Sequence, residues 1–354
     1  MTRHMFAGGT APVGFVNYFD QIMPLEKAKK RIFLKGSSGS GKSTFMKKIA
    51  AELEKAGLDT DIYHCANDAG SLDGLSVKDK GVCIIDGTAP HVNDPEVPIA
   101  VDTIIDFAAF IDYDKVFQHR EEIQSLLCVK KLLTEKARGY LTAAGNVYTA
   151  DRSAYEAALK RPALMELTHA WTEMLGFDKK INFSGADRKM FLTAVTPDGV
   201  VSFASTVLDG CKVYGLKGEG GAGTELFLRK MRDAVHGQGM NTDSFPCPFD
   251  PDKLEYLLAP EMKTAFAVTG MRGGYEGPVD EMIDLGGCYD GELLKAAKNG
   301  LERNQGLFNR LLDEAVAFMK ESRTMHSGIE KIYIDAMRFD EIDEMTEKIL
   351  GGLI

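Results

Sequence analysis

GSSGSGKST, residues 36–44, decides the reading of this chain. Glycines stand at 36, 39 and 41, a lysine follows at 42 and hydroxyl residues at 43 and 44, so the pattern G-x-x-x-x-G-K-[ST] is met at every fixed position. A short apolar run at 31–34 precedes the loop, and Phe45, Ile49 and Leu53 recur after it at helical spacing. Strand, glycine loop and helix in that order begin an α/β unit.

The residue types suit one kind of ligand. Glycines let successive backbone N–H groups converge without a β-carbon in the way, and the helix behind them presents its positive dipole end, a site for phosphate. Gly36, Ser37, Ser38, Gly39, Ser40, Gly41, Lys42, Ser43 and Thr44 are therefore expected to hold a nucleotide's phosphates, with Lys42 reaching the β- and γ-phosphates. Ser43 is expected to offer its hydroxyl to Mg²⁺. Asp86, closing the unbroken apolar run Val82-Cys83-Ile84-Ile85, is the expected metal-side carboxylate.

Gly87 follows Asp86, where many ATP-hydrolysing proteins place a water-activating glutamate. Asp68, just past the expected strand 59–65, is the first candidate for a catalytic base, and capping the next turn is its competing role. His91 is read either as a γ-phosphate sensor or as a solvated loop residue. Cys65, beside His64, reads as a buried strand-end thiol. Any transition-state arginine is sought among Arg120, Arg138, Arg152 and Arg161, in the second half of the chain, or in another subunit.

The chain is written twice. Shifted by 182 residues, Leu34, Lys35, Gly36, Gly39 and Gly41 fall on Leu216, Lys217, Gly218, Gly221 and Gly223, and the register continues through Phe45/Phe227, Cys65/Cys247, Asp68/Asp250 and Leu75/Leu257. Upstream a shift of 185 pairs Arg3, Met5 and Phe6 with Arg188, Met190 and Phe191; downstream a shift of 178 pairs Asp102, Ile105, Asp106 and Asp112 with Asp280, Ile283, Asp284 and Asp290. A period this long means a duplicated domain rather than a repeat array. The expected fold is thus α/β with two tandem modules, 1–182 and 183–354, each a mostly parallel sheet flanked by helices. Each is expected to carry a helical hairpin, at about 113–177 and 291–325, where apolar residues show heptad-like spacing.

The second loop, GEGGAGTEL at 218–226, keeps its glycines but has Thr224 where Lys42 stands and Glu225 where Ser43 stands, and Val268 takes the place of Asp86. Two glutamates, 219 and 225, beside a site built for an anion point to a degenerate copy with a structural or regulatory role.

Composition narrows the partners. Forty-two basic against 52 acidic residues leave a net charge of −10, the wrong sign for binding a nucleic-acid backbone. No run approaches a membrane span, and six scattered cysteines show no metal or disulfide spacing, so a cytoplasmic protein with reduced thiols is expected.

LKGSSGSGKST, YHC followed by SLDG, IIDGTAPHV and the opening FAGGTAPVGF resemble a family of bacterial proteins built from two tandem P-loop modules, grouped as ATPases or nucleotide kinases. The resemblance spans essentially the whole chain and implies the duplication and ATP binding, without a substrate. That family's second module usually keeps a lysine in its loop; Thr224 and Glu225 depart from it. The function expected is Mg·ATP binding with hydrolysis or phosphoryl transfer at the first module, to water or to a small-molecule acceptor. The alternative is a nucleotide-dependent switch acting on a protein partner through the helical segments. Self-association is left open.

Overall fold

The computed structural model describes residues 2–88, 94–177, 185–218, 222–270 and 274–352. The first half runs β1 (Thr2–Met5), β2 (Gly8–Ala11), β3 (Gly14–Asn17), β4 (Lys30–Lys35), α1 (Lys42–Lys55), β5 (Thr60–Cys65), β6 (Asp68–Val77), β7 (Val82–Asp86), β8 (Asp102–Asp106), α2 (Tyr113–Gln118), α3 (Arg120–Ala158) and α4 (Arg161–Met174). The second runs β9 (Asp187–Lys189), β10 (Thr193–Thr196), β11 (Gly199–Ser202), α5 (Ala204–Leu208), β12 (Lys212–Lys217), α6 (Ala222–Gly237), β13 (Thr242–Cys247), β14 (Asp250–Ala259), β15 (Thr264–Thr269), β16 (Glu281–Asp284), α7 (Gly291–Ile334) and α8 (Phe339–Leu350). Residues 178–184, which include the expected boundary near 183, lie outside the described residues.

Two six-stranded sheets of the same order result: β1-β5-β6-β7-β4-β8 and β9-β13-β14-β15-β12-β16. Pairing is parallel except around β6 and β14, which run antiparallel to both neighbours. The inner strands β4, β7, β12 and β15 are buried on both faces, hence their near-continuous apolar runs. In β4, Ile32 and Leu34 pack under α1 with Phe45, Met46, Ile49 and Leu53, while Phe33 faces the opposite way.

The inner faces meet. Phe33, Tyr63 and Cys83 of one sheet share a core with Phe245, Tyr256 and Ala265 of the other. Phe6 and Phe191, equivalent by the sequence register, exchange both backbone hydrogen bonds, N–H to O at 2.8 and 2.9 Å. Reciprocal bonding between equivalent residues is the mark of a pseudo-two-fold axis.

The helical segments depart from expectation. Neither forms a hairpin: α3 is one helix of 39 residues and α7 one of 44, which runs past the expected end at 325. No proline interrupts residues 120–158; the first is Pro162, in the first turn of α4, where its missing N–H costs nothing. The apolar stripe of each helix is covered by the other helix instead. They lie antiparallel, with Tyr140 stacked on Phe318, Thr134 bonded to Ser322 and Asn304 donating to Asp151.

At its far end each long helix delivers a short helix to the other module. Helix α8 packs on the first module, where Ile342 and Leu350 join Phe45 and Ile49; α4 packs on the second, where Leu164 joins Phe227 and Met231. The crossings are matched bond for bond. Arg338 N–H donates to Phe110 O and Lys160 N–H to Cys288 O; Asp112 N–H donates to Ala336 O and Asp290 N–H to Ala158 O. Both pairs obey the 178-residue shift, so each body around a sheet draws on both halves of the chain. Among the described residues no helix is long and apolar enough to cross a membrane.

Candidate functional site

Strand β4 delivers the loop and α1 carries it away. Gly36, Gly39 and Gly41 adopt φ of 145°, 76° and 91°, conformations that side chains resist, and Gly41 caps α1. The turn between is closed by Ser40 N–H donating to Ser37 O at 3.3 Å, with Ser38 inside it. Lys42, 7% exposed, donates from Nζ to Gly36 O and Ser37 O, both at 2.8 Å, and lies 3.7 Å from Asp86 Oδ2. Burial lowers its pKa; the Asp86 carboxylate, and behind it Asp73 and Glu330, pull the other way.

The Ser37 hydroxyl is buried with no hydrogen-bond partner among the described residues. A buried polar atom at the lip of a glycine cradle fits an anionic ligand that would satisfy it. Ser43 Oγ accepts Leu72 N–H at 3.0 Å, and Asp86 Oδ1 accepts Thr88 N–H at 2.9 Å and its hydroxyl at 2.5 Å. These bonds hold both side chains in place beside the loop. Among the described residues no cluster of three or more His, Cys, Asp or Glu could cage a metal alone. Magnesium that keeps waters and phosphate oxygens in its shell needs only one or two protein oxygens, and Ser43 and Asp86 fit that demand.

Asp68 is committed locally. Its Oδ1 accepts Gly70 N–H at 3.2 Å and its Oδ2 the Ser71 hydroxyl at 2.6 Å, the turn-capping role. Asp73, buried in β6 and close enough to Lys42 to act on its pKa, is a carboxylate the sequence reading passed over. One signal was available: the 182-residue register sets Glu255 opposite it. His91 falls outside the described residues.

The long helices bring further charge. On α7, Glu330 sits beside the loop; burial raises its pKa, and the charge of Asp68 adds to that. His326 Nδ1 is 2.7 Å from Lys130 Nζ of α3, and burial together with that ammonium lowers the imidazole to about 4. Of the arginines proposed from sequence, Arg152 serves the other module and Arg120 pairs with its neighbour Glu121.

The described part of the second loop is engaged by side chains. Gly223 N–H donates to the Tyr289 hydroxyl at 3.0 Å, so a side chain takes a cradle donor. Glu225, where Ser43 stands in the first copy, receives Arg152 at 3.0 Å and Arg229 at 2.9 Å, and Arg152 also reaches Asp250 at 3.5 Å. Arg152 corresponds by the 178-residue shift to Glu330. A carboxylate faces the lysine-bearing loop and an arginine faces the glutamate-bearing one. Residues 219–221 of this loop lie outside the described residues.

Compared with protein-family models, curated proteins and solved structures, the chain matches none.

Proposed function

We propose that this chain binds a Mg²⁺–nucleoside triphosphate, ATP in the first instance, at residues 36–44 and cleaves or transfers its γ-phosphoryl group. The observation that carries the reading is Lys42, buried on its own loop carbonyls 3.7 Å from Asp86, in a loop whose Ser37 hydroxyl has no partner among the described residues. A triphosphate would take Lys42 from those carbonyls and bond Ser37 and the loop N–H groups. Ser43 and Asp86 would hold the metal, which supplies charge neutralisation at the β- and γ-oxygens. Asp73, which acts on Lys42, joins Asp68 as a candidate to act on a nucleophile, and Asp68 is tied into its turn. The acceptor is water or a small molecule, and the second module serves as a partner that closes its own loop and lends α7 and α8 to the first.

Purified protein is tested for ADP release from Mg·ATP, with bound nucleotide counted per chain, beside Lys42→Ala. One nucleotide per chain, with turnover lost in the variant, is expected. Two nucleotides per chain, or turnover equal in both proteins, would refute the assignment.

A switch is the second reading, favoured by the way α7 rests on the loop at Gly39. It calls for one bound nucleotide with negligible turnover, and a change in protease protection of α7 on binding.

A further inference from the structure

Between α1 and α8 lies a cavity of about 200 Å³, opening beside the glycine loop and lined by Gly41, Thr44, Lys48, Phe339, Ile342 and Asp343. It is smaller than the ~300 Å³ and upwards that holds a whole drug-sized ligand, so it suits one ring system whose remainder sits outside. Phe339 is 39% exposed, and its ring edge comes within 3.2 Å of where a Gly41 β-carbon would stand. At the outer end Lys48 and Asp343 form an ion pair.

Position and duplication point the same way. Thr44 and Lys48 are successive turns of α1, leading from the phosphate loop along the cavity wall. The second module provides a control from the same chain. By the 178-residue shift Leu164 and Thr168 stand for Ile342 and Thr346, so the packing residues keep their character. Arg161 replaces Phe339 and Met165 replaces Asp343, while by the 182-residue shift Leu226 replaces Thr44. The aromatic face and the acid are present only beside the loop that kept its lysine.

We propose that this cavity is the base site: a purine ring stacks on Phe339 and presents an N–H edge to the Asp343 carboxylate, displacing Lys48 from it. The inference rests on the triphosphate reading of residues 36–44. Every base offers a π-face to an aromatic platform, and the carboxylate accepts from the amino group of adenine or from the N1–H and amino group of guanine. Because α8 belongs to the second half of the chain, the degenerate module would hold the base while the intact one holds the phosphates.

Affinities of Mg·ATP, Mg·GTP and Mg·tripolyphosphate are measured by calorimetry for the wild type, Phe339→Leu, Phe339→Ala and Asp343→Ala. Leucine keeps apolar packing without the π-face, and tripolyphosphate binding reports that each variant is folded. In the wild type the favoured nucleotide should bind roughly tenfold or more tightly than tripolyphosphate. Both Phe339 variants should lose most of that margin while tripolyphosphate affinity is unchanged. Asp343→Ala should weaken one purine nucleotide selectively, which names the base. Tripolyphosphate binding as tight as either nucleotide in the wild type, or Phe339→Leu weakening all three ligands alike, would overturn the base site and leave the phosphate site standing. Failure of all three ligands to bind the wild type would overturn both.

Discussion

The backbone carbonyl oxygen of Glu330 lies 2.5 Å from where a β-carbon on Gly39 would stand. Helix α7 therefore rests directly on the glycine loop of the other module, and glycine is needed there twice over: for the contact and for φ of 76°. Gly39→Ala should cost roughly 2 kcal/mol, part from the left-handed backbone and part from lifting α7, read as a lowered urea midpoint. It should also weaken nucleotide binding at least tenfold. An alanine variant as stable as the wild type would show that the contact gives way freely.

Glu330 itself sets a carboxylate beside the proposed triphosphate site. Glu330→Gln keeps the helix backbone in place and removes that charge, so nucleotide affinity should rise by a few-fold, more at low salt than at high. Calorimetry at two ionic strengths checks this; an affinity that falls would instead give Glu330 a direct part in holding the ligand or its metal.

Much of this architecture is legible in the sequence, and the remainder fails for physical reasons. The loop, the strands around Ile62 and Ile84 and the duplication follow from local pattern, because glycine spacing and buried apolar runs are local properties. Strand β6 was passed over because Gly70, Ser71, Asp73, Gly74 and Ser76 carry little β propensity; it is held by pairing on both edges, which is tertiary. The heptad stripes announced helical segments in each half but not that each is one long helix, nor its length. Glu330, His326 and Phe339 reach the site because α7 crosses from the second module and delivers α8 to the first. Their positions depend on a docking that no window around them encodes.

At the second loop, Arg152 bridges Glu225 and Asp250 while also pairing with Glu156 of its own helix. Arg152→Ala should destabilise the protein by roughly 1–3 kcal/mol, at the lower end because the guanidinium is partly exposed and Arg229 still serves Glu225. Adding Glu225→Gln should restore part of the loss. Strictly additive effects in the double-mutant cycle would mean the ion pair contributes nothing.

The pseudo-two-fold axis is lined by charge. Asp61 receives Arg3 at 2.7 Å, Arg188 at 3.0 Å and Lys78 at 3.2 Å, and Arg188 is also bidentate on Asp243. Burial alone would raise both acids, but these cations outweigh it and hold both below the usual carboxylate range. A depressed carboxylate stabilises the fold above its unfolded pKa, near 4, and that contribution fades as the pH drops further. Arg188→Met should cost roughly 3–5 kcal/mol at pH 7 and flatten the acid limb of the stability curve below pH 4. An acid limb as steep as the wild type's would place the linkage elsewhere.

Glu255 works in the opposite sense. The residue is fully buried in β14, neither carboxyl oxygen has a hydrogen-bond partner among the described residues, and burial pushes its pKa from 4.5 up to about 7 against the pull of the Cys247 thiol and the Lys253 ammonium. Below pH 4.5 the acid is neutral in both folded and unfolded chains and has no effect on the balance. As the pH rises from 4.5 towards 7 the unfolded chain ionises while the folded one stays protonated, so stability falls by roughly 3 kcal/mol for such a shift and levels off above 7. Glu255→Gln removes the ionisation while keeping shape and burial, so it should match the wild type near pH 4 and be more stable by roughly 1–3 kcal/mol at pH 8. Urea unfolding of both proteins at pH 4, 6 and 8 tests this directly, because the Asp61 and Asp243 contribution is common to both and cancels in the difference. A gain independent of pH would show that Glu255 stays charged in the fold and that its neighbours, rather than a proton, satisfy it.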